Sequence, residues 1–213
     1  MSIFNAIFTK QTVRFNASGR DISELKSEIV RKTLHFLIAL APGMAVINKT
    51  ATIAILIIGT LGYTLMEYLR LSGVRIPVIS SVTSIASRPR DYGRFVMGPV
   101  TLGMGALAAL LFYPSIAAAI AIYALAFGDG VASLAGKFFG RLRPAFLFGK
   151  SVEGSLACFS VVLISAYAVS NSLFTALAAA FTAMTVEALP LEDYDNIAIP
   201  VTVGFVVQFA LIF

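Results

Sequence analysis

Phe127–Ser155 reads FGDGVASLAGKFFGRLRPAFLFGKSVEGS, a polar, glycine-rich and charged stretch inside an otherwise apolar chain. One carboxylate, Asp129, falls in a small-residue turn between Gly128 and Gly130. Gly136 and Gly140 bracket Lys137, Arg141 and Arg143 follow, and a second glycine-flanked run comprises Gly149, Lys150, Ser151, Val152, Glu153, Gly154 and Ser155. Glycines let backbone N–H groups approach an anion closely, lysines neutralise it, and carboxylates hold the Mg²⁺ that accompanies polyphosphates. The stretch therefore predicts a nucleotide-phosphate site. It is not a Walker A loop, because that motif needs a glycine five residues before Gly149 and Pro144 stands there. Gly136 and Gly140 also suit a small-xxx-small contact between membrane helices. That reading leaves Asp129, Lys150 and Glu153 unexplained, since charges beside apolar spans are costly and usually functional.

The rest of the chain supplies the setting. Of 213 residues, 58% are hydrophobic and 13% charged, with mean hydropathy +0.88, whereas a soluble domain carries about 25% charge. The composition predicts an all-α, polytopic integral membrane protein. Seven apolar spans are expected, at about 33–48, 51–67, 96–113, 115–135, 154–170, 172–189 and 197–213. The fourth is expected to run on as a helix past Asp129. Residues 1–27 form a separate N-terminal segment, read as a short amphipathic interfacial helix or a basic tail and not as a signal peptide. Asp21 and Glu24 resemble a capping box. The single cysteine, Cys158, can form no internal disulfide.

Charge orients the expected bundle. Of the 16 basic residues only Lys49 falls on the side of the short connections at 48–50, 113–115 and 170–172. By the positive-inside rule the N-terminus is cytoplasmic, and the charged face looks into the cytosol from the inner membrane. The basic residues are spread over short loops and form no soluble patch, so no nucleic-acid partner is expected. Lipid and nucleotide are the expected partners, and homo-oligomerisation is left open.

Three further groups carry chemistry. Glu28, Arg31, Lys32 and His35 share one face of the first helix. Arg88, Arg90 and Arg94 form an arginine-rich loop suited either to bidentate phosphate contacts or to anionic headgroups. Glu187, Glu192, Asp193, Asp195 and Asn196 concentrate carboxylates without a basic residue, and a divalent cation would relieve their repulsion.

Taken together, Arg31-Lys32 with His35, the GDxxAS…GKxxG…GKSxEGS run from Gly128 to Ser155, and Glu187 through Asp195-Asn196 to Pro200 resemble the membrane CTP-dependent lipid kinases. That family includes dolichol, phytol and diacylglycerol kinases and is related to the phosphatidate cytidylyltransferases. The resemblance covers residues 28–213 and implies transfer of the γ-phosphate of CTP to a membrane-embedded hydroxyl, with Mg²⁺. It implies catalytic roles for Arg31, Lys32, His35, Asp129 and Lys150. Gly128, Gly130, Gly136, Lys137, Gly140, Gly149, Ser151, Gly154, Ser155 and Arg94 would meet the nucleotide. Asp129, Glu153, Glu187, Asp195 and Asn196 would meet the metal. Two rivals use the same residues differently. A cytidylyltransferase would release pyrophosphate, and a transporter is disfavoured because no expected span carries an ionisable residue at mid-depth.

Overall fold

The structure, a computed structural model, describes residues 19–74, 91 and 93–212, with side chains described from Ser27 onward. The interfacial helix or tail expected before residue 19, and Arg88 and Arg90, lie outside the described residues; at Asp21 and Glu24 only the backbone is described, as helix that already begins at Gly19.

The described residues are helical, with no strand among them. Helix α1 spans Gly19–Ile38 and crosses position 27, where the N-terminal segment is expected to end. Helix α2, Leu40–Leu71, is interrupted at Asn48, whose extended backbone (φ −154°, ψ 99°) starts a new helix. The Asn48 side chain caps it by accepting from Ala51 N at 2.9 Å. Helix α3 is Gly98–Phe112, begun by Pro99 where a missing N–H costs nothing. Helix α4, Ser115–Tyr123, passes through a wide π-helical turn, Ala124–Asp129, into α5, Gly130–Phe138. Helices α6 (Val152–Ser170), α7 (Leu173–Glu187) and α8 (Asp195–Ala210) complete the bundle.

One expectation is corrected. Gly128-Asp129-Gly130 is not a turn: it is continuous helix, and Asp129 lies nine residues inside the segment Ser115–Phe138. An ionisable group therefore does sit within a span. Among the described residues, three helical segments, Ser27–Leu71, Ser115–Phe138 and Val152–Ser170, are long and apolar enough to cross a membrane. The helices Gly98–Phe112, Leu173–Glu187 and Asp195–Ala210 are apolar but shorter. At 1.5 Å per residue they reach about 22–24 Å, less than a typical hydrocarbon core of about 30 Å. Pro114 precedes α4, and Asn171 in the left-handed conformation (φ 53°) ends α6 before Ser172 caps α7.

The Ser115–Phe138 segment is the centre of the bundle, with 67% of its apolar window buried against 28% for α6. The core around it is built largely of alanine, including Ala106, Ala117, Ala121, Ala124, Ala179 and Ala183. In lipid there is no hydrophobic drive between helices, so small side chains that allow close backbone approach supply the packing. The effect is clearest where α8 meets α3. Pro200 lacks the N–H that would bond the Asn196 carbonyl, and that carbonyl packs against Gly105, where any side chain would collide with it. The close approach delivers the start of α8 to the site.

Candidate active site

Asp129 ends the π-helical turn, and two cationic or polar groups from α1 close on it. Lys32 Nζ donates to Asp129 Oδ2 at 2.5 Å, and His35 Nε2 lies 3.0 Å from the same oxygen. Both contacts fall on Oδ2, and Oδ1 accepts no hydrogen bond among the described residues. Lys32, His35, Asp129 and Asn196 are 3–5% exposed, a depth at which a charge persists only when paired and hydrogen-bonded. Lys32 and His35 reach one carboxylate because residues three apart share a helix face. A π-helical turn locally re-registers a helix and recurs at functional sites; here it hands Asp129 to α1.

Asn196 meets the same His35 nitrogen as Asp129 does. Its Oδ1 is 2.9 Å from His35 Nε2, while its Nδ2 donates to Thr101 Oγ1 at 2.9 Å and Gly98 O at 3.3 Å. The two acceptors on α3 fix which way the amide faces. Asn196 is thus not at the metal position expected for it; it braces His35, which braces Asp129. Asn196→Leu is expected to lower stability by roughly 1–3 kcal/mol, because it strands buried polar groups of His35 and Thr101. An unchanged thermal midpoint in detergent would contradict the brace.

Glu28 is a second hub, one helical turn before Lys32. Its Oε2 receives Arg31 Nη2 at 2.5 Å and Lys137 Nζ at 2.6 Å, and its Oε1 receives Ser133 Oγ at 2.9 Å. Arg31 is thereby turned to Glu28 and away from the cavity, whereas Lys137 and Ser133 line it.

The cavity holds about 330 Å³, within the ordinary range for small-molecule sites. Lys32 and Asp129 form one wall; Ser133, Gly136 and Lys137 of α5 form another. Opposite them stand Arg143, Gly149 and Lys150 of the α5–α6 loop, and Ser151, Gly154 and Ser155 at the start of α6. Ser151 caps α6, its Oγ accepting from Gly154 N at 3.1 Å, while Val152 N donates to Leu142 O and Ser155 N to Ser151 O; the helix start still presents a positive dipole end. Glu187, Glu192 and Asp195 close the cavity from α7, the connecting loop and α8. Lys150 Nζ binds the Glu187 backbone carbonyl and lies 2.9 Å from Glu187 Oε1. Glu187 Oε2 and Ser155 Oγ are buried without a hydrogen-bond partner among the described residues.

Several residues expected at the site lie elsewhere. Glu153 accepts from Arg141 N at 2.9 Å and Leu142 N at 3.2 Å, so its carboxylate ties down the loop and does not line the cavity. Glu153→Gln keeps an accepting oxygen and is expected to change turnover by less than about threefold, the scale of one modest hydrogen bond. A hundredfold loss would return Glu153 to the chemistry. Gly128 and Gly130 pack against Val162 and the Phe36 ring, and Gly140 against Ser151 and the Gly136 carbonyl. Gly128 and Gly130 serve helix contact, whereas Gly140 lies past the end of α5 and forms no small-xxx-small helix pair with Gly136. Arg94 is remote from the cavity, its carbonyl accepting from Arg70 Nη2 at 3.1 Å.

No family model, curated protein or solved structure matches this chain. The cavity has therefore to be read from its own chemistry. Ser133 and Thr101 were not expected at the site. Ser133 had a signal, since it lies four residues after Asp129 and four before Lys137, on the same helical face. Thr101 had none, because its role exists only through Asn196.

Proposed function

We propose that this chain is a membrane phosphotransferase that moves the γ-phosphoryl group of CTP to a membrane-embedded lipid hydroxyl, that of an isoprenoid alcohol or diacylglycerol. The observation that supports this reading is a buried carboxylate, Asp129, sharing one cavity with Lys32, Lys137, Lys150 and the start of α6. Phosphoryl transfer asks mainly for positioning, charge neutralisation and an acceptor for one proton. In the proposed reaction the acceptor O–H bond breaks, a new O–Pγ bond forms, and the bridging bond from Pγ to CDP breaks. Asp129 Oδ1 receives the hydroxyl proton. Lys137 and Lys150 neutralise the phosphates, and the positive end of the α6 dipole beside Ser151 favours their charge. CTP as the donor rests on the family resemblance of the Gly128–Ser155 run.

Mg²⁺ fits the oxygen-only donor set and the orphaned Glu187 Oε2. One or two of Asp129, Glu187 and Asp195 would hold it, and it would supply charge neutralisation on the polyphosphate. Among the described residues no three of His, Cys, Asp and Glu converge as a metal group. One or two carboxylates completed by phosphate oxygens is the usual arrangement for this ion.

We further place the cavity on the cytosolic side of the inner membrane, with the N-terminus inside and seven crossings. The distribution of basic residues supports this. Lys49→Cys should be labelled by an impermeant thiol reagent on intact cells and Arg141→Cys should not, with Cys158 silent because it is buried. Labelling of Arg141→Cys would reverse the orientation. The activity itself is tested by incubating purified protein with labelled CTP and a panel of phytol, polyprenols, diacylglycerol and phosphatidate. CDP with a phosphorylated alcohol is expected. Pyrophosphate with a CDP-lipid would assign a cytidylyltransferase instead, and nucleotide retention with vectorial uptake and no product would assign a transporter.

A further inference from the structure

The loop between α5 and α6 presents an outer surface that phosphate chemistry does not use. Phe139 is 70% exposed, Phe146 68% and Phe148 62%, and Phe138 and Leu142 beside them are also exposed. Such a concentration of large apolar side chains on one short loop is not a scatter of ordinary surface residues. The loop is not loose. Leu147 and Pro144 are buried beneath it, Val152 N donates to Leu142 O at 2.9 Å, and Lys150 N to Leu147 O at 2.9 Å. Arg143 pins it to both neighbours through Gly149 O at 2.5 Å and Gly136 O at 2.8 Å. Phe148 occupies the left-handed region (φ 50°), uncommon for a bulky residue. A built loop thus holds its phenylalanines outward.

What covers them follows from where the loop begins and what charge it carries. It leaves the end of Ser115–Phe138, a segment long and apolar enough to cross a membrane, so the phenylalanines stand at the level where that span ends. Arg141 stands exposed among them, and its side chain makes no hydrogen bond or ion pair among the described residues. Aromatic rings at the acyl boundary with an arginine reaching for headgroups is the pattern of a membrane-interface segment.

We propose that the Phe138–Phe148 loop lies in the interface of the leaflet it faces, with Phe139, Phe146 and Phe148 at the acyl boundary and Arg141 among anionic headgroups. Because the same loop carries Arg143, Gly149 and Lys150, it holds the basic wall of the cavity at the lipid surface. The proposal goes beyond the phosphotransferase reading and its test does not depend on activity.

The chain contains no tryptophan, so single substitutions report without background. Phe139→Trp and Phe146→Trp alter exposed positions only. Ile164→Trp, on the lipid-facing side of α6 at 69% exposure, gives the acyl-chain reference, and free N-acetyltryptophanamide gives the aqueous one. Each protein is placed in nanodiscs of phosphatidylcholine and phosphatidylglycerol in equal parts, with and without brominated acyl chains. Both loop variants are expected to emit to the blue of the free amide, to be quenched by lipid bromine comparably with Ile164→Trp, and to resist iodide. Water-like emission quenched by iodide and not by bromine would overturn the proposal. Blue emission that neither quencher reaches would overturn it equally, in favour of a second copy of the chain.

Discussion

Asp129→Asn is expected to lower turnover by at least about a hundredfold, the scale of losing one such catalytic interaction, in a protein that still folds and inserts but is less stable because the buried Lys32 cation loses its counter-ion. The substitution preserves shape and an accepting oxygen while removing the charge and most of the basicity. A purely structural aspartate at a helix start would cap it through its side chain, a task asparagine performs equally well. Asp129 makes no such capping bond. Its carboxylate is held instead by Lys32 and His35 on one oxygen. Asp129→Glu supplies a second arm, because it keeps the charge but displaces the oxygens by a methylene. It should fold and still lose turnover, since transfer depends on placement within fractions of an ångström. Near-normal turnover of Asp129→Asn at saturating Mg²⁺ would sink the assignment.

The second large effect is on stability. Lys32→Met removes the cation from a buried pair and leaves the Asp129 carboxylate uncompensated, a change expected to cost roughly 3–5 kcal/mol. The double variant Lys32→Met with Asp129→Leu should recover much of that loss, because two apolar groups of similar volume tolerate the interior where one orphaned charge does not. Turnover should stay absent in both. Unfolding followed in detergent for the two single variants and the double one gives the coupling directly. Additive effects would mean that Lys32 and Asp129 do not act as a pair.

Stability and function are thus separable at this site. Asn196 and Thr101 belong to the supporting side: they touch His35 and one another, not the cavity. Lys137 and Lys150 belong to the binding side, each parked on a carboxylate, Glu28 and Glu187 respectively. An arriving polyphosphate would compete with those carboxylates for the lysines.

Much of this arrangement is legible in the sequence wherever the information is local. The apolar segments stand out because every backbone group in lipid must be satisfied within its own helix, so hydropathy and helicity coincide. The common face of Glu28, Lys32 and His35 follows from a period of 3.6 residues, and the glycine-flanked lysines mark the polar end of the bundle. What no local pattern contains is which distant residue completes each group. Lys32 and Asp129 are separated by 97 positions, and their pairing depends on how α1 packs on a helix that passes through a π-helical turn. The same holds for Glu153 and Asn196. As sequence they are polar residues beside a phosphate motif; folded, the first ties the loop through backbone N–H groups and the second is turned by α3 to brace His35. Residue type and spacing determined that a charged, glycine-rich polar face exists at one end of the bundle. Helix packing alone decided which of its residues face the cavity, because a side chain's partner is set by the close approach of backbones such as Gly105 on Asn196, and that approach is a property of the whole bundle.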